Sequence, residues 1–287
     1  MVVRRATRRR YNFLMLDFGA YLGRIGLRAG DEPTLQTLHR AHVTSIPFEN
    51  LDPHRGVPVS LAQEDLERKL VHERRGGYCF EHNLLFASAV SYLGLEVEPM
   101  LARERAGAPA GMVRPLTHLV LRVTDGERRA WQADVGWGPG TLLEPIPFGA
   151  NPSASYDQSG WRFRVVEEGL ELVLQTSSEG GWSDLYAFRP EAVPRVDIET
   201  SNWWTSTSPS SPFVFGLLAG VTRPDGTSES VSDWSGPVKL RVQTPTSMEV
   251  TELRREALPE LLAERFGLPG FVVGADGRAD PIIASGR

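Results

Sequence analysis

Apolar side chains recur at helical spacing through the first third of the chain and at strand spacing through the middle third. Between Leu14 and Leu27 the pattern predicts an amphipathic helix, and a second follows over Pro33–Ser45, opened by Pro33-Thr34. Leu61, Leu66 and Leu70 carry a third helix over Leu61–His72, which stops before Gly76-Gly77. From Phe80 to Leu93 the apolar positions Phe80, Leu84, Leu85, Ala89, Val90 and Leu93 share one helical face, and Gly94 supplies the left-handed stop. The texture then changes. Leu116–Thr124, Arg129–Val135, Trp161–Glu167 and Glu171–Gln175 are short, alternating and separated by Asp125-Gly126 or Glu168-Gly169 turns, which predicts antiparallel sheet. After a Ser/Thr/Pro run over Thr205–Pro212, a hairpin is expected around Pro224-Asp225-Gly226 and a last helix over Pro259–Phe266 before Gly267.

Composition narrows the function. The 287 residues are 41% hydrophobic and 23% charged, enough to bury a substantial core, and no apolar run approaches the length of a membrane span. Net charge is −5, yet the first ten residues hold five arginines and no acid, which leaves −10 for residues 11–287 and argues against a nucleic-acid-binding body. The head, Arg4-Arg5 and Arg8-Arg9-Arg10 followed by Phe13–Leu16, faintly resembles a twin-arginine export signal, but Asp17 and Arg24 interrupt the apolar stretch such a signal needs. The expected compartment is the cytoplasm. A single cysteine, Cys79, excludes an intramolecular disulfide and any cysteine-cluster metal site.

Several chemistries drop out for lack of a motif: there is no G-x-S-x-G, no G-x-x-x-x-G-K and no H-E-x-x-H. Gly136-Trp137-Gly138-Pro139-Gly140 follows a strand, but no helix pattern follows it, so a dinucleotide fingerprint fails. His39 and His42, three apart on a helix, could share a metal; with no third ligand, surface or packing histidines are the better reading. Cys79 stands apart because of its setting, Arg74-Arg75-Gly76-Gly77-Tyr78-Cys79-Phe80-Glu81. The glycines permit a tight turn, and a helix start beside arginines favours the reactive thiolate. A cysteine nucleophile needs an imidazole and a group to orient it. His118 and Asp134 sit on the two arms of one predicted hairpin. A turn leaving three or five residues unpaired sets His118 directly across from Asp134, whereas a two-residue turn puts them on opposite faces, and spacing leaves both open.

With these residues in place the chain resembles the arylamine N-acetyltransferases. Tyr21–Gly26, Pro33-Thr34-Leu35 and Ala41-His42 leading to Ile46-Pro47-Phe48-Glu49-Asn50-Leu51 resemble the family's N-terminal blocks, and Arg75–Glu81 with Asn83 resembles its nucleophile motif. Thr117-His118 and Asp134-Val135-Gly136-Trp137-Gly138 resemble the blocks with the other two catalytic residues, and Asn202–Ser211 the stretch near the coenzyme A site. The resemblance implies an α+β fold with a cysteine-protease-like core: a helical bundle (1–95) carrying Cys79, an antiparallel β-barrel (96–200) carrying His118 and Asp134, and a C-terminal α/β lid (201–287). It implies ping-pong acetyl transfer from acetyl-CoA, a cosubstrate and not a tightly bound cofactor, through a Cys79 thioester to an arylamine, hydrazine or hydroxylamine. By the same resemblance Phe48, Trp137, Gly138 and Trp204 would line the acceptor site and Ser206, Thr207 and Ser210 would touch coenzyme A, with no metal, nucleic acid or membrane involved.

The departures concern substrate. Trp137 stands where the family usually has Phe, which should narrow or reshape the acceptor pocket; the Pro33–His42 stretch is a few residues short, and the arginine head has no family counterpart. Arg75 is expected to pair with Glu49 or Asp52, Phe48 to line the pocket or pack in the core, and Glu81 and His82 to face outward. A related class with the same triad releases a polyketide chain from a carrier protein as a macrolactam, and a thioester hydrolase or a silent ligand-binding relative are further alternatives. The 29 arginines against two lysines suggest a GC-rich genome, which suits both the transferase and the amide synthase.

Overall fold

A computed structural model describes residues 16–281 apart from 29, 110, 152, 179, 180, 235 and 275–277. The arginine head and the start of the expected Leu14–Leu27 helix lie outside the described residues. Helices α1 (Phe18–Arg24), α2 (Leu35–Ser45), α3 (Leu51–His54), α4 (Gln63–Glu67) and α5 (Cys79–Tyr92) come first, with strand β1 (Phe48–Glu49) among them. Eight strands follow: β2 (Glu96–Glu104), β3 (Leu116–Thr124), β4 (Ala130–Ala133), β5 (Ile146–Pro147), β6 (Tyr156–Gln158), β7 (Trp161–Glu168), β8 (Glu171–Ser178) and β9 (Gly181–Phe188). The chain continues through α6 (Arg195–Thr207), α7 (Pro212–Phe215), β10 (Leu218–Thr222), β11 (Ser228–Ser232), β12 (Val238–Gln243), β13 (Met248–Leu253), α8 (Leu258–Phe266), β14 (Phe271–Val273) and β15 (Ala279–Pro281).

The local signals that start and stop these elements are visible. Thr34 and Thr37 form a reciprocal cap at the start of α2, and Gly267, at φ +66°, ends α8. The expected Leu61–His72 helix is instead α4 continued by a π-helical turn over Arg68–His72. The wider turn lets three consecutive side chains, Lys69, Leu70 and Val71, all point inward.

Strands β2–β9 form one antiparallel sheet in the order β5-β4-β3-β2-β9-β8-β7-β6, a nearly closed barrel. Across the seam Gln158 Oε1 accepts from the Leu143 and Glu144 amides at 2.7 and 3.2 Å, and its Nε2 donates to the Glu144 carbonyl. Met100, Val120, Phe163, Val165, Leu174, Tyr186 and Phe188 fill the interior. A second sheet, β1-β10-β11-β12-β13, draws its first strand from the helical region through the pairs Phe48↔Gly220 and Glu49↔Ala219.

Helix α5 lies between these bodies. Leu85, Phe86, Ala89 and Val90 share a core with Leu121, Val123 and Ala133 of the barrel, while Phe80 and Leu84 pack with Leu101 and Leu119. All residues from Cys79 to Val90 are buried, so the expectation that Glu81 and His82 face outward is wrong. Both are inside because both have buried partners: Lys69 for Glu81, His42 and the Pro47 carbonyl for His82.

Candidate functional site

The turn before α5 is set by close contact. A Cβ on Gly76 would lie 2.1 Å from the Pro47 carbonyl oxygen and one on Gly77 2.8 Å from Glu81 Oε2, so neither position has room for a side chain. Glu49 N donates to the Gly77 carbonyl at 2.8 Å, and Arg75 grips both expected partners, Glu49 Oε1 at 2.6 Å and Asp52 Oδ1 at 2.8 Å. Cys79 then opens α5 with its sulphur donating to the Thr117 carbonyl at 3.4 Å. Gly136 backs onto it: a Cβ there would sit 2.8 Å from Cys79 Cα.

His118 and Asp134 meet, in a register two residues away from the expected one. The pairs Leu121↔Ala133 and Thr124↔Ala130 leave five residues in the turn, and Asp134 stands just past the end of β4. Asp125 builds that wide turn, its Oδ1 accepting from the Glu127 and Arg129 amides. A shift of two keeps side chains on the same face. His118 Nε2 therefore still reaches Asp134 Oδ2, at 2.7 Å, as a diagonal contact.

Besides His118, two groups hold the Asp134 carboxylate and two hold its backbone. Its Oδ1 accepts from Asn83 Nδ2 and Gly136 N, both at 3.0 Å, and Asp134's own amide donates to His39 Nε2 at 3.1 Å, while Thr141 donates its hydroxyl to the Asp134 carbonyl. Burial opposes ionisation of Asp134, and His118 with these donors more than offsets it, holding the carboxyl below its ordinary range. For His118 burial favours the neutral ring, but Asp134 and, next, the Cys79 side chain push its pKa up to about 10. With Nε2 on Asp134, Nδ1 is the nitrogen left for Cys79. Trp137 packs edge-on to His118 at 5.1 Å between centroids, and Tyr186 packs against the ring at a tilt of 46°, 4.8 Å away.

Cys79 and His118 open into a cleft of about 270 Å³ walled by Phe48, Trp137, Phe213 and Trp234. Phe48 serves both readings, 5% exposed and in the cleft wall. Gly138 lies behind that wall, 3.2 Å from the Phe48 ring by its would-be Cβ. Trp204, Ser206, Thr207 and Ser210 do not line the cleft. The first three belong to α6, where Ser206 and Thr207 donate back to the Trp203 carbonyl, and Ser210 is exposed in the turn beyond. Helix α6 was absent from the periodicity; it docks beside the nucleophile through Asn202, which accepts from the Tyr78 hydroxyl and donates to Val59 O.

Sequence reasoning gave Lys69 no role, Asn83 only a place beside the nucleophile motif, and His39 only a surface or packing one. Asn83 had a usable signal: four residues after Cys79, it lies one turn along the same helix face. His39 and His42 are packing residues, each fully buried. Among the described residues no cluster of three or more His, Cys, Asp and Glu could hold a metal ion, and no helix is long and apolar enough to cross a membrane.

Comparison with known proteins agrees with this geometry. Residues 31–270 match the model of a family described as N-acetyltransferase. The chain is 41% identical to an arylamine N-acetyltransferase of Mycolicibacterium smegmatis, over 74% of this chain and 78% of that one. It is 35% identical to the arylamine N-acetyltransferase of Mycobacterium tuberculosis, over 94% and 97%. The solved Mycobacterium marinum arylamine N-acetyltransferase in complex with CoA superposes with a TM-score of 0.81 at 34% identity, over 88% and 93%. A cysteine at a helix start, a buried histidine–aspartate pair beside it and a match across most of the chain lead to one conclusion: the protein is an acyltransferase and belongs to the arylamine N-acetyltransferase family.

Proposed function

We propose that the enzyme carries acetyl groups from acetyl-CoA to an arylamine, hydrazine or hydroxylamine in two half-reactions joined by a Cys79 thioester. The observation that carries this reading is the position of His118, held by Asp134 on one nitrogen and facing Cys79 with the other. A histidine with a pKa of about 10 is protonated at neutral pH, and a cationic imidazole beside sulphur favours the thiolate. That sulphur attacks the acetyl carbonyl, with N–H groups of the first turn of α5 available to the oxyanion. Collapse expels CoA thiolate, which takes the His118 proton and leaves S-acetyl Cys79 with a neutral imidazole. The amine then attacks the thioester, His118 removes its proton, and the Cys79 thiolate departs.

The CoA complex of the Mycobacterium marinum relative supports CoA as the acyl carrier. Phe48, Trp137, Phe213 and Trp234 suit a flat aromatic acceptor. The three-part division at 95 and 200 and a cytoplasmic site, where a lone thiol stays reduced, belong to the same reading. The test is intact mass after mixing with acetyl-CoA alone. One acetyl adduct is expected, absent in Cys79→Ala and discharged by an aminobenzoate. Loading only by a carrier-protein thioester would replace this reading with the amide synthase, and CoA release without adduct or amine would replace it with hydrolysis.

A further inference from the structure

Beneath the nucleophile helix, on the side away from the cleft, lies a buried charge cluster that the proposed reaction does not use. Lys69 Nζ is 2.7 Å from Asp52 Oδ2, 2.8 Å from Glu81 Oε1 and 3.9 Å from Glu49 Oε1, and its side chain is 9% exposed. Arg75 binds Glu49 and Asp52 from the other side, and Arg55 binds Asp52 at 2.7 Å. Three cations thus meet three carboxylates, yet only Lys69 makes contact with Glu81. The free oxygen of Glu81, Oε2, accepts from Tyr78 N at 3.1 Å, the amide immediately before Cys79. Lysine is almost never buried to this degree unless paired, and the π turn is what brings it here.

We infer that Lys69 is a positioning residue for Cys79: its ammonium anchors Glu81 against the Tyr78 amide, so the turn that delivers the thiol is set from beneath. The inference rests on Cys79 being the nucleophile. Glu81 caps the turn with one oxygen and is anchored by Lys69 with the other; Lys69 is anchored in turn by Asp52, on α3. Glu81 packs where a side chain at position 77 would stand, since a Cβ there would lie 2.8 Å from Glu81 Oε2, so Gly77 is what admits the carboxylate to the turn.

The groups facing Glu81 set its response to pH. Burial raises its pKa, Lys69 lowers it, and Glu49 and Asp52 raise it again, for a value of about 7. Removing Lys69 deletes the lowering influence. Glu81 in Lys69→Met is therefore neutral at pH 7, still able to accept from Tyr78, and ionises only at higher pH, unpaired beside Glu49 and Asp52. The defect should grow with pH.

The experiment compares wild type, Lys69→Met, Lys69→Arg and Lys69→Met/Glu81→Gln, reading Cys79 alkylation by iodoacetamide and acetylation by acetyl-CoA across the pH range around 7 and above. For Lys69→Met the ratio of its rates to those of wild type should fall about tenfold to a hundredfold as pH rises. Lys69→Arg should track wild type, and the double variant, with no carboxylate at position 81 to strand and with Arg55 and Arg75 still paired to Asp52 and Glu49, should lie within about threefold of it at every pH. A Lys69→Met profile parallel to wild type overturns the inference. Should Lys69→Met fail to fold, the double variant decides: a folded double variant slowed tenfold or more, or with a falling limb of its own, overturns it. Alkylation needs no acetyl-CoA, so a wild-type protein that alkylates but does not load acetyl would fault the proposed function, and the alkylation rates alone would then decide the role of Lys69.

Discussion

Five histidines are at most 4% exposed, and four of them, His39, His42, His82 and His118, lie in or beside the nucleophile helix in two regions with opposite electrostatics. In the first, Tyr21 donates to His42 Nδ1, His42 Nε2 donates to His82 Nδ1 and His82 Nε2 donates to the Pro47 carbonyl, a chain in which every ring is neutral and every nitrogen is used. His39 does the same alone, accepting from Asp134 N and donating to Leu143 O. Burial drives His39 and His82 down to about 4 and His42 well below its ordinary value. His118 is buried as deeply and ends at about 10, because a carboxylate sits 2.7 Å from its Nε2. Burial is common to both regions; the partner decides whether a histidine is structural filler or a poised proton carrier.

The two regions therefore limit stability on opposite sides of neutrality. The raised His118 contributes stability that is full below about pH 6.5 and lost as pH rises through about 10. The lowered His39 and His82 contribute stability that is present above pH 6.5 and lost as pH falls through about 4.

The largest effect should come from collapsing the difference. Asp134→Asn removes the charge while keeping the shape, leaves His118 to burial alone, and should slow acetylation of Cys79 by about 10³–10⁴, measured by single-turnover mass spectrometry. A loss under tenfold would mean that the carboxylate does not govern the ring. Disturbing the neutral region should affect folding and spare chemistry. His82→Leu strands the His42 N–H, should cost about 1–3 kcal/mol in urea unfolding, and should leave the loading rate of the folded protein within a few-fold of wild type. The smallest effect is expected at the cleft wall: Trp137→Phe should ease acceptance of bulky amines and change the second half-reaction more than the first. Equal changes in both would show that the indole, packed edge-on to His118, supports the ring and not the acceptor.

Much of this was legible in the chain. Local signals placed α5, β3 and the hairpin; spacing left the turn length open, and the observed five-residue turn, with the register shifted by two, keeps the parity that brings His118 and Asp134 to one face. What could not be read were pairings made across long separations. Glu81 and His82 looked like exposed polar positions because their partners lie 12 and 40 residues away, and the role of Lys69 depends on a π turn that periodicity reads as ordinary helix. Helix α6 escaped notice because its buried residues, Asn202, Thr205 and Ser206 among them, are mostly polar.

The division between the two regions can be observed directly by following the imidazole resonances of the folded, uniformly labelled enzyme as pH is raised from about 5. His118 should remain protonated through neutrality and titrate near 10, while His39, His42 and His82 stay neutral throughout. A His118 ring that loses its proton below about 6.5, along with any exposed histidine, would contradict the account.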